Sequence, residues 1–175
     1  FWSGVRWLDK YQPTHIAWGN HDVRLLELSD SPNGIVAHAA SSLWHALQEK
    51  AKQLRAKTVP YDIKKGWHEI GGVGWGHGYM YSVNALREHI NFLQGRCVIA
   101  HLHAPQEING RTRYYTPSFC VGSMADGEKL TYNRRRAATG AHGHGIVFGE
   151  VTDNDAKLWL AHSPNGQRIR FPFPL

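Results

Sequence analysis

The stretch Thr14-His15-Ile16-Ala17-Trp18-Gly19-Asn20-His21-Asp22 sets a short apolar run directly before Asn, His and Asp. Ile16, Ala17 and Trp18 suit a buried strand, Gly19 lets the backbone turn, and three polar side chains follow at the strand's carboxyl end. The layout recurs twice. Ile70 to Trp75 reads as a strand running into Gly76-His77-Gly78, and Cys97 to Ala100 as another that ends in His101-Leu102-His103. A divalent cation that activates water needs imidazole and oxygen ligands from several elements, held so that coordination positions stay open. Asn20, His77, His101 and His103 meet that description, and a His-x-His on an extended turn can address two sides of one site or two adjacent cations. Asn-His-Asp after Gly is also an ordinary turn and helix N-cap, so the reading rests on three such strand ends in order and not on any one of them.

The elements that must position these residues alternate helix and strand. Phe1 to Tyr11 has apolar residues at helical spacing and is closed by Pro13, and Asp22 to Leu28 suits a helical turn or more. Ser29 to Gly34 is a loop by composition, and Ile35 to Lys57 carries the longest helical periodicity, from Val36 to Leu54. Tyr61 to His68 reads as a loop or edge strand. The glycines at 71, 72, 74, 76 and 78 match neither phosphate-loop spacing. Val83 to Leu93 predicts a helix. Beyond it the chain becomes sheet-rich: a hairpin over Glu107 to Tyr115 around Asn109-Gly110, strands Gly145 to Val151 and Lys157 to Ala161 around Asp153-Asn154-Asp155, and a last strand, Gln167 to Phe171. Strand ends that deliver polar residues into loops are how open α/β sheets build sites.

Bulk properties narrow the function classes. The 175 residues suit one domain with a substantial core, and 42% hydrophobic with 19% charged residues is a globular composition. No apolar run approaches the roughly 20 residues of a membrane span and no signal peptide precedes the first motif, which predicts a soluble, cytoplasmic protein without membrane partners. Cys97 and Cys120 form no CxxC pair, so reduced thiols are expected. A formal charge of +6 favours polyanionic partners, and twelve histidines exceed what packing requires. His15, His38, His45, His68, His89 and His162 suit packing or surface positions. His142-Gly143-His144 is a second His-x-His, in a glycine-rich loop that either reaches the site or substrate or is unrelated to it.

In this order the motifs resemble those of the calcineurin-like metallophosphoesterases, bacterial and phage members in particular. Gly19-Asn20-His21-Asp22 looks like the family's Gly-Asn-His-Asp/Glu, His77 like its isolated metal-binding histidine, and Ala100-His101-Leu102-His103 like its Gly-His-x-His with Ala in place of Gly. Ser118 to Asp126 resembles the stretch that follows. The resemblance implies an α/β fold, a layered β-sandwich of mixed sheets flanked by helices. It also implies a dinuclear centre of divalent cations, with Mn foremost and Zn, Fe, Ni or Mg as substitutes. By that match Asn20, His77 and His101 bind the second metal and His103 the first. His21 contacts the scissile phosphate and protonates the leaving oxygen, oriented by Asp22. The family's Asp-x-His and Gly-Asp-x-x-Asp are absent, and Asp9 is the only acid before Asn20. The expectation is therefore a single domain over 1–175, truncated at its amino terminus, whose first metal position keeps His103 alone and whose activity in isolation is open.

The reaction implied is hydrolysis of a phosphoester. Arg111, Arg113 and Arg134-Arg135-Arg136, with Tyr114, Tyr115 and Tyr132 among them, suit phosphate oxygens and base stacking, so the Arg triplet is expected to bind substrate and a phosphodiester or nucleotide is expected ahead of a phosphoprotein. The bland alternative is a solvated run of charge. From a different class, the chain could be a nucleic-acid-binding or scaffold protein that keeps the fold without turnover. A structural zinc module is disfavoured because Asn is a poor structural zinc ligand and no cysteine lies near the histidines.

Overall fold

The computed structural model describes residues 2–109, 117–123 and 142–164. The chain is mixed α/β, and it divides into two compact units, Phe1–Gly66 and Trp67–Leu175. None of the described helices is long and apolar enough to cross a membrane.

The first unit contains helices α1 (Trp2–Tyr11), α2 (Asn20–Ser29) and α3 (Gly34–Gln53) and the strands β1 (His15–Ala17) and β2 (Lys57–Val59). β1 and β2 pair in parallel, with His15 opposite Lys57 and Ala17 opposite Val59. α3 starts where Asn33 Oδ1 accepts from the amides of Ile35 and Val36 at 3.1 and 3.3 Å, which satisfies two of the first-turn donors. It ends earlier than its periodicity suggests. Lys57, expected in the helix, instead donates its amide to Thr14 O at 2.9 Å and opens β2, because β-branched Thr58 and Val59 suit the strand beside β1. Trp18 and Trp44 meet edge to face at 5.3 Å, and Lys50 pairs with Asp9 at 2.8 Å between α3 and α1.

The second unit contains β3 (Trp67–Ile70), β4 (Val73–Gly76), α4 (Ala85–Leu93), β5 (Arg96–Ile99), β6 (Pro105–Asn109), β7 (Pro117–Val121), β8 (Gly143–Val151) and β9 (Ala156–Pro164). Five strands form one mixed sheet in the order β3-β4-β5-β7-β6, in which β4, β5 and β7 run parallel and the two outer strands antiparallel. The strand expected over Ile70 to Trp75 is in fact a hairpin. Gly71 and Gly72 both take positive φ, +60° and +66°, so the two glycines form the turn that joins β3 to β4. β6 and β7 pair with Asn109 opposite Pro117, so their register is not that of a two-residue turn at Asn109-Gly110. The connecting residues of that hairpin and the expected strand Gln167 to Phe171 lie outside the described residues.

Side chains alternate across this sheet as the pleat requires. On one face Val73, Val98 and Phe119 pack with Ala156 and Leu158 of the β8–β9 hairpin, flanked by Trp75, Val121, Val147 and Leu160. On the other, Cys97, Ile99 and Cys120 pack with Leu86 of α4, flanked by Trp67, Ile90, Leu93, Leu102 and Ile108. A central sheet is thus covered by a hairpin on one side and a helix on the other. Full burial of Phe119 and Leu86 contributes on the order of 1.5–3 kcal/mol each. The two free thiols are buried in the helix-side core, and desolvation pushes Cys97 up to about 12 and raises Cys120.

Candidate metal centre

Each histidine of interest in the second unit follows directly from a strand. β4 ends at Gly76 and His77 comes next; β5 ends at Ile99, and His101 and His103 lie in the turn beyond it. Because β4 and β5 are parallel neighbours, both histidine turns leave the same edge of the sheet. Backbone bonds lock them together: His77 O accepts from the amides of Ala100 at 3.0 Å and His101 at 2.8 Å. Gly78 has φ +92°, and a Cβ there would stand 3.1 Å from His101 Cβ and 3.2 Å from Ile99 Cβ, so this close approach of the two turns needs a glycine.

The approach brings the two imidazoles into contact. His77 Nε2 and His101 Nδ1 are 3.1 Å apart, with ring centroids at 5.1 Å and planes at 68°. That separation fits a hydrogen bond. It equally fits two ligands of one cation, since nitrogens at about 2.1 Å from a shared zinc-sized ion stand roughly 3–3.5 Å apart. The donor chemistry of this pair therefore suits a borderline divalent metal. Among the described residues, no three His, Cys, Asp or Glu side chains converge on one point suited to a cation.

His103 turns away from a helical context. Its backbone has φ +57°; the other described non-glycine residues with positive φ are Gln12, Arg55 and Gln94, each just beyond a helix, where the left-handed conformation is an ordinary ending. His103 has no such excuse. Its amide donates to Ala100 O at 3.3 Å, and its carbonyl accepts from Gly143 N at 3.0 Å, at the start of β8. The His103 ring meets the His142 ring edge to face, with centroids at 5.2 Å and planes at 75°. Of His142-Gly143-His144, it is the His142 ring that lies against His103.

Sequence reasoning assigned His89 to packing, and the structure gives it a further task. It is fully buried on α4, donates from Nδ1 to Ala85 O at 2.7 Å, and accepts at Nε2 from the amides of Tyr79 at 2.8 Å and Met80 at 3.2 Å. These amides belong to the loop that leaves His77. Three bonds fix the tautomer with its proton on Nδ1, and burial lowers the pKa, against smaller upward pulls from the Ala85 carbonyl and Glu88.

In the first unit, Asn20, His21 and Asp22 open α2, with Gly19 as its N-cap. Asp22 Oδ2 accepts from the Gly19 amide at 2.8 Å, so this carboxylate closes the strand-to-helix turn that presents Asn20 and His21. Its observed bond is to backbone, as in the ordinary N-cap reading. Arg134, Arg135 and Arg136, with Arg111, Arg113 and the tyrosines near them, lie outside the described residues. Comparison with models of known protein families, with curated proteins and with solved structures found no match.

Proposed function

We propose that this chain is a metal-dependent phosphoester hydrolase of the calcineurin-like metallophosphoesterase type. The observation that carries the reading is the His77–His101 pair, two imidazole nitrogens 3.1 Å apart on turns that leave neighbouring parallel strands, with His103 two residues further on. A central mixed sheet covered by a hairpin on one face and a helix on the other is compatible with the layered sandwich of that family.

In this reading His77 and His101 would hold one divalent cation, and His103 would serve a second. A divalent cation held there would supply Lewis acidity toward a phosphoester and would lower the pKa of a water. The chain's own residues do the rest. The His77 carbonyl, bonded to both Ala100 and His101, keeps the two ligand turns in register before any cation arrives. His21, in the first turn of α2, donates the proton that the leaving oxygen takes, and Asp22 holds the turn from which it does so. A net charge of +6 favours an anionic polymer or nucleotide as substrate, and the Arg134-Arg135-Arg136 run is assigned to its phosphates.

Titration with Mn²⁺ and Zn²⁺, followed by calorimetry, and hydrolysis of bis(p-nitrophenyl) phosphate test the proposal. Substitution of His77 or His101 by Ala should remove the tighter cation. His21→Asn should leave cation binding intact while lowering kcat by roughly 10²- to 10⁴-fold. Cation binding indifferent to both His77→Ala and His101→Ala would overturn the assignment. Binding to single-stranded DNA should weaken with salt and with replacement of the three arginines by Ala; indifference to both would remove the nucleic-acid substrate and leave the hydrolase reading in place.

A further inference from the structure

Among the described residues, one buried side-chain polar atom has no hydrogen-bond partner, and it is His142 Nδ1. Buried polar groups are nearly always satisfied, so an orphan imidazole nitrogen calls for a missing partner. Its surroundings indicate which kind. The ring it belongs to touches the ring of His103 edge to face at 5.2 Å. The backbone beside it is pinned twice, by Gly143 N on His103 O at 3.0 Å and by Ser123 N on Gly143 O at 2.8 Å. Three segments therefore cross at this point: the turn after β5, the end of β7 and the start of β8. His103 itself holds a left-handed backbone away from any helix end, the kind of cost that persists where a side chain must be aimed.

We propose that His142 is a metal ligand, sharing through Nδ1 a divalent cation of zinc or manganese type with His103. The inference rests on the hydrolase reading for the identity of the group. It changes the ligand inventory, because sequence resemblance gives that position His103 alone, whereas the fold adds a second imidazole from the far end of the chain. Two imidazoles make a modest site by themselves, and the cation here binds more weakly than the one at His77 and His101, whose ring nitrogens already stand 3.1 Å apart. His144, the other member of the His-x-His, pairs with Ser163 in the β8–β9 hairpin and is not part of the proposed pair.

Co²⁺ added to the full 175-residue chain, with visible absorbance as the readout and Zn²⁺ as competitor, tests this without any need for turnover. Two equivalents are expected, the second weaker. His142→Ala and His142→Gln should each weaken the second by at least about tenfold, as loss of a direct ligand must exceed or match the loss of a supporting contact, and His144→Ala should not change it. Long-range ¹H–¹⁵N correlation of the histidine rings should show Nδ1 of His142 moving on addition of Zn²⁺. The proposal is overturned if only one equivalent binds, or if the second is unaltered in both His142 variants while their circular dichroism matches the parent. Either result leaves the hydrolase reading standing provided His77→Ala and His101→Ala still abolish the first equivalent. Loss of the second equivalent in the His142 variants, with the first indifferent to His77 and His101, would support the His103–His142 site and remove the other.

Discussion

Replacing His89 by Leu isolates the contribution of one buried imidazole to the loop that carries His77. Leu keeps the apolar packing against Trp67 but offers no acceptor to the amides of Tyr79 and Met80. A buried donor left unmade costs about 1–3 kcal/mol, and these two amides are only part-buried, so the expected loss is about 2–4 kcal/mol. The pH dependence carries a second signature. Burial holds the folded-state pKa of His89 below its ordinary value of 6.5, so the unfolded chain takes up the proton first. Its contribution is therefore fully present above pH 6.5 and declines as pH falls below it, by up to about 1.4 kcal/mol per pH unit, until the folded-state histidine itself titrates. Urea unfolding from pH 8 to pH 5, followed by tryptophan fluorescence, measures both effects. The parent should lose more stability over this range than His89→Leu, which lacks the group. Equal slopes in the two proteins would refute the assignment of a neutral, amide-accepting His89, and an unchanged midpoint at pH 8 would refute the energetic argument.

Three further outcomes follow from other parts of the structure. His103→Gly should be more stable than His103→Ala by about 1 kcal/mol, since only glycine adopts φ +57° without a steric cost; thermal unfolding in the presence of a chelator checks the difference. Cys97 and Cys120 should resist alkylation in the native chain at pH 8 and react on unfolding, because burial holds both thiols protonated, Cys97 up to about 12; mass spectrometry counts the adducts. Asp22→Ala should cost about 1 kcal/mol by freeing the Gly19 amide and removing an acidic residue from the first turn of α2, measured as a shift in urea midpoint with an unchanged slope.

What could be read from the sequence was what short-range patterns encode. Cys97 to Ala100 is apolar throughout, and Cys97 to Ile99 lie in the central parallel strand β5; Val83 to Leu93 has helical periodicity, and α4 forms from Ala85 onward. The strand ends that carry Asn20, His77, His101 and His103 were legible for the same reason, since each motif follows its own apolar run. Turn chemistry within an apolar run was not. Ile70, Val73 and Trp75 supply apolar residues enough for one strand, and the paired positive φ angles of Gly71 and Gly72 split the stretch into two. Long-range partners were invisible. His89 sits on an apolar helix face and reads as core, while its two amide donors come from a preceding loop that no periodicity links to it. The contact of His142 with His103 depends on β8 meeting the turn after β5, which is a property of sheet topology.

The histidine turns are joined by backbone before their side chains meet. Ala100 N and His101 N share His77 O, His103 N returns to Ala100 O, Gly143 N bonds His103 O, and Ser123 N bonds Gly143 O. This chain of main-chain bonds runs through the loops that end β4, β5 and β7 and the residue that starts β8. A ligand set on isolated surface loops would have to order each loop on binding, at roughly 1–2 kcal/mol for every backbone residue fixed. Here that ordering is already part of the folded unit, so a cation bound as proposed would spend little of its affinity on arranging these turns. His89 acts from a distance in the same way: it accepts from the amides of Tyr79 and Met80, the two residues after Gly78, and so ties the turn that carries His77 to α4. Side-chain identity sets which group these turns can bind, and the backbone network sets how little must change when they do.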